Sequence, residues 1–114
     1  MQIQVHTDHN IDGHEKLAAW VQGVVEQTLS AISGRITRVE VHLSDENSAS
    51  KKNGTPDMRC VMEAHVAGRP PVAVTEHADT IHNAVVAASG KLDRLIDHTL
   101  ERVKERSGDA PHRW

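Results

Sequence analysis

Phenylalanine and tyrosine are absent from this 114-residue chain, and Trp20 and Trp114 are its two aromatic residues besides histidine. Binders of single-stranded nucleic acid usually stack bases on aromatic platforms, so any such contact here must rest on phosphates and shape. Cysteine is nearly absent too. The single Cys60 excludes an internal disulfide and cannot by itself form a thiolate zinc site. It lies in an apolar strand pattern and reads as a small buried hydrophobe, because a reactive thiol needs an accessible, electropositive setting. No apolar run approaches a membrane span. The polar, alternating opening Met1–His6 is unlike a secretory signal, so the chain is expected to be cytoplasmic. A net excess of positive charge is also missing. The formal charge of -3 argues against indiscriminate coating of nucleic acid but leaves room for a local basic stripe.

What is present is the pattern of one small domain. The length suits one hydrophobic core and is too short for two. Residues 1–106 are expected to form that domain and residues 107–114 a flexible tail. Ile3 and Val5 alternate with Gln2, Gln4 and His6, as in a half-buried strand. Asp12, with Glu15 three residues on, suits a helix N-cap. Leu17, Trp20, Val21, Val24, Val25, Thr28, Leu29 and Ile32 then recur at helical spacing, and Gly34 is expected to stop the helix.

A second strand is expected over Ile36–Ser44, with Thr37, Val39, Val41 and Leu43 on one face and Arg38, Glu40 and His42 on the other. The polar stretch Asp45–Asp57 reads as a mobile loop. Met58–Val66 is a third strand with Cys60, Met62, Ala64 and Val66 inward. A turn at Gly68–Pro71 leads to a short fourth strand, Val72–Glu76, with Val72 and Val74 inward. From Ala78 to Arg106 the helical period returns through Ile81, Val85, Ala88, Leu92, Leu95, Ile96, Thr99 and Val103. Gly90 sits inside this stripe, where it permits close packing or a slight bend. The order β-α-β-β-β-α predicts an α+β fold. Its four-stranded mixed sheet has two helices packed on one face and the other face wet.

Three segments carry a family likeness: MQIQVHTDHNI at the start, RITRVEVHLSDE in the second strand, and AVTEHADTIHNAVVAASGKLDRLI across the last strand and helix. Together they resemble the hibernation-promoting factors and ribosome-associated inhibitor A proteins, over Met1 to about Arg106. The strongest matches are Asp79, Ile81, His82, Ala84 and Val85, with Lys91, Leu92 and Arg94. The resemblance implies a translation inhibitor of stress or stationary phase. It implies occupancy of the decoding channel of the small ribosomal subunit, with that subunit and its rRNA as partners. It implies the short form, without the dimerising domain of longer members. The first helix carries only Lys16 as a cation, where relatives carry several.

Read physically, at about 100° per residue, Lys91, Arg94, His98 and Arg102 share one flank of the last helix. Such a stack of cations suits phosphates. It is equally what a salt-laced solvent face looks like, since Asp97, Glu101 and Glu105 follow Arg94, His98 and Arg102 at i+3. The family likeness favours RNA. Lys16, Arg35, Arg38, Lys51, Lys52 and Arg69 are secondary candidates, each of which solubility alone would explain. The alternative is a protein-interaction or oligomerising module of the same fold that has lost its RNA surface.

His6, His42 and His65, with Glu40 and Glu63 between them, are expected on the open sheet face. The right register would let them hold a divalent ion. The plain reading is three exposed rings, and no metal or cofactor is assigned. No phosphate loop, G-x-S-x-G, C-x-x-C or H-E-x-x-H pattern occurs. No enzyme, membrane partner or small-molecule substrate is expected. Trp20 is expected to anchor the core.

Overall fold

The computed structural model describes residues 1–8, 11, 13–46 and 57–106, with all their side chains except those of His14 and residues 101–106. The elements are β1 (Gln2–Thr7), α1 (His14–Thr28), β2 (Ile36–Asp45), β3 (Met58–Val66), β4 (Val72–Ala78) and α2 (Ile81–Arg106). They form one mixed sheet in the order β1-β2-β3-β4. β1 runs parallel to β2, and the other neighbours are antiparallel. This is the expected α+β order. A helix must join parallel neighbours, whereas short links suffice for antiparallel ones.

Both helices lie on the face that the alternating apolar residues present. Val21 and Val25 of α1, Leu29 just past its end, and Val85, Ala88, Leu92 and Ile96 of α2 are buried there. They meet Val39, Val41, Leu43, Cys60, Met62, Ala64, Val66 and Val74 of the sheet. Trp20 packs against this core only in part, and its ring stands 4.1 Å from that of His82 across the two helices. Among the described residues, no helix is long and apolar enough to cross a membrane.

Several local expectations are corrected. The helix-cap position before His14 is held by Gly13 at φ 65°, ψ 38°, with no side-chain cap, while Asp12 lies outside the described residues. Gly34 does not end α1. The helix stops at Thr28, and the chain passes through a 3₁₀ segment, Ser30–Arg35, that keeps Ile32 against the core. Thr37 is exposed, and Ile36 is buried in its stead. The cause is a shift in the β2–β3 register between Ile36 and Arg38, which turns one residue over.

β4 continues to Ala78, two residues past the expected end, so α2 starts at Ile81 and not at Ala78. The Thr80 hydroxyl accepts from the Asn83 N–H at 3.0 Å and caps α2. Gly90 serves no close packing. A methyl group there would meet only the Arg94 guanidinium, at 3.5 Å. The expected mobile loop falls largely outside the described residues, as do Val103's side chain and the tail 107–114.

Candidate nucleic-acid interface

α2 packs on β3 and β4, and β4 is an edge of the sheet, so one flank of α2 stands open beyond it. Lys91, Arg94, Leu95 and His98 line that flank. With Glu76 from β4 they bound an open depression of about 490 Å³. Leu95, expected in the buried stripe, is 38% exposed and belongs to this depression. Long helical side chains lean toward the helix N-terminus. The Arg94 guanidinium accordingly lies back over Gly90, one turn earlier.

The flank is only partly neutralised. Lys91 Nζ pairs with Glu76 Oε2 at 3.2 Å. Among the described residues, Arg94 and His98 make no ion pair; in particular, the anticipated i+3 pairing of Arg94 with Asp97 is not formed. Arg102 continues the flank on the α2 backbone, but its side chain lies outside the described residues. Glu76 was not foreseen as part of this surface. The signal was available, since two-residue alternation from Val72 and Val74 carries Glu76, already inside the expected strand, onto the helix side.

The secondary candidates are dispersed. Lys16 is exposed on α1. Arg35 and Arg69 are exposed at one end of the sheet, where the Ala67 N–H donates to the Arg35 carbonyl at 2.9 Å. Lys51 and Lys52 lie outside the described residues. Arg38 is on the sheet face opposite the helices, in contact with Glu40 and His65.

That opposite face carries a second polar constellation. Arg38 Nε stands 2.9 Å from Glu40 Oε2, an ion pair not aligned as a hydrogen bond. Glu40 Oε1 faces His6 Nε2 at 3.9 Å and His42 Nε2 at 3.7 Å. The rings of His6 and His42 stack at 4.6 Å. His65 stands apart from this pair, with Arg38 Nη2 at 3.1 Å and Glu63 Oε1 at 3.5 Å. The structure thus brings together His6 and His42 but not His65. Cys60 is buried, and burial together with the nearby Glu76 carboxylate pushes its thiol up to about 12. That agrees with an inert core residue.

Residues 3–104 match the family model described as sigma 54 modulation protein / S30EA ribosomal protein. Curated proteins give no match. Among solved structures, a ribosomal subunit interface protein from Coxiella burnetii is similar, with a TM-score of 0.64 and 12% identity over 89% of this chain and 99% of that one. The N-terminal domain of protein Y from Thermus thermophilus is similar at TM-score 0.66 and 17% identity, over 87% of this chain and 99% of that one. At such identities the likeness concerns the fold.

Proposed function

The chain belongs to the sigma 54 modulation protein / S30EA ribosomal protein family, and on that premise we propose that it binds the small ribosomal subunit and silences translation by occupancy. In this reading it acts in the cytoplasm, in stress or stationary phase, and enters the decoding channel without catalysing a reaction. The α2 flank meets rRNA phosphates. The observation that carries the reading is the state of Arg94 and His98: they stand unpaired by any described carboxylate beside Lys91, on an open sheet edge. An arginine paired with no described carboxylate gains from counterion release when it meets phosphate. With two aromatic residues besides histidine, recognition depends on backbone and shape and not on base stacking.

The Lys91–Glu76 pair favours the second reading, an interaction module that keeps the fold and has lost RNA binding. Sedimentation with purified small subunits at graded salt separates the two. The first reading expects co-sedimentation that falls with salt and weakens on charge reversal at Lys91, Arg94 and Arg102. A concentration-dependent dimer that ignores ribosomes at low salt establishes the second.

A further inference from the structure

The parallel register of β1 and β2 sets His6 directly beside His42, and Gln4 beside Glu40. Glu40 precedes His42 by two residues, so strand alternation puts both on the same face. The result is two imidazoles and one carboxylate whose ligand atoms all lie within 4.8 Å of one another. We propose that His6, Glu40 and His42 form a binding site for a divalent transition-metal ion of the zinc class.

The carboxylate-to-imidazole spacings are close to what such an ion needs. Tetrahedral coordination at bonds of about 2.0–2.1 Å places ligand atoms roughly 3.3–3.5 Å apart. The two contacts of Glu40 Oε1, at 3.9 and 3.7 Å, exceed that by a few tenths of an ångström. Both rings are about half exposed, at 49% and 51%, so they are free to rotate and bring their nitrogens, spaced by up to 4.8 Å, onto one ion. Both rings present Nε2 toward the same carboxylate oxygen, and their stack, within 13° of parallel, must splay for both in-plane lone pairs to meet one ion.

Two further observations point to a cation at this place. Arg38 holds the other oxygen of Glu40, which leaves Oε1 turned toward the imidazoles. Outer groups that fix a ligand's orientation in this way are a regular part of metal sites. In addition, Glu40 stands directly opposite Glu63 in the β2–β3 ladder. Like charges so placed are destabilising, and a bound cation relieves the repulsion. Two imidazoles with one carboxylate suit Zn²⁺, Ni²⁺ or Cu²⁺ better than Mg²⁺ or Ca²⁺, which prefer all-oxygen shells. Three protein ligands leave a position for water or a group from a partner. The site lies on the sheet face opposite α2, so it stands or falls independently of the ribosome reading.

The test uses the full chain stripped of metal, with Zn²⁺ in calorimetry and Co²⁺ as a spectroscopic probe. Wild type should take up one Zn²⁺ per chain and give the visible absorption of four-coordinate Co²⁺. His6→Gln and His42→Gln should each weaken uptake at least tenfold, and Glu40→Gln should do so too. His65→Gln and His77→Gln should leave it unchanged. Because the ion ties β1 to β2, Zn²⁺ should raise the Tm of wild type and not that of the His6→Gln/His42→Gln double variant. Circular dichroism of that double variant without metal reports whether the fold persists. Uptake that survives the double variant overturns the proposal. So does uptake that disappears with His65→Gln or His77→Gln, or a wild-type chain that takes up no Zn²⁺.

Discussion

Replacing Glu76 by Gln should tighten binding to small ribosomal subunits. Lys91 is held by Glu76 at 3.2 Å, with side chains 50% and 29% exposed. A pair of that exposure is worth about 0–1 kcal/mol, which a phosphate must overcome to engage Lys91. Once the phosphate is in place, the Glu76 carboxylate stands roughly 6–7 Å from it, and repels it by about 0.6 kcal/mol in a water-like dielectric. Together these terms give about 0.6–1.6 kcal/mol, or roughly 3- to 15-fold in affinity at low salt. Freeing Lys91 adds one cation to the contact, so the slope of log K against log salt should steepen by about 0.7–0.9. Arg94→Ala, which removes a cation paired with no described carboxylate, should flatten the slope by a similar amount. The assay is co-sedimentation over roughly 50–200 mM salt, the range in which such slopes are resolved. If Glu76→Gln leaves affinity unchanged or weakens it, while Arg94→Ala leaves the slope intact, this flank does not meet phosphate.

Cys60 should make the fold alkali-sensitive. Its thiol is raised from an ordinary 9.0 to about 12, so the folded chain favours the protonated form. The associated stability is fully present below about pH 9 and is lost as pH rises toward 12, with roughly 1.4 kcal/mol gone by pH 10. Urea unfolding at pH 8 and pH 10 should show that difference in wild type and a smaller one in Cys60→Ala. Gly23→Ala and Gly90→Ala should each stabilise by about 0.5–1 kcal/mol. A methyl group at Gly23 meets open space, and one at Gly90 meets Arg94 at an ordinary 3.5 Å. Gly13→Ala should destabilise, because that residue has φ 65°; thermal melts of the three variants give the ordering. Thr80→Ala should cost about 1 kcal/mol through loss of the α2 cap, read in the same melts.

The sheet and both helices were legible because each half-buried element writes its own period. Alternation in β3 named Cys60, Met62, Ala64 and Val66 correctly, since strand residues point to opposite faces in turn. What was not legible depends on partners distant in sequence. Thr37 is turned out by a register shift against β3, and nothing in residues 36–44 encodes the residue it skips. The pairing of His6 with His42, and the exclusion of His65, follow from where β1 docks along β2. The end of α1 was misplaced because Ile32 keeps the apolar rhythm through a 3₁₀ segment. For the basic flank, the sequence placed Lys91, Arg94 and His98 together but could not tell which carboxylate reaches which cation. The i+3 candidate for Arg94 is unused, and the neighbour that matters for Lys91 comes from β4.

The parallel docking of β1 also bears on how the chain reaches its native state. Thr7 meets Leu43 across about 36 residues, whereas Asp45 meets Met58 across about 13. Loop-closure entropy makes the longer closure costlier by about 0.9 kcal/mol. The β2–β3–β4 meander and α2 therefore form the early nucleus, and the N-terminal strand joins last. Substitutions in β1 should mainly speed unfolding, while equally destabilising ones at Met62 or Leu92 should slow folding.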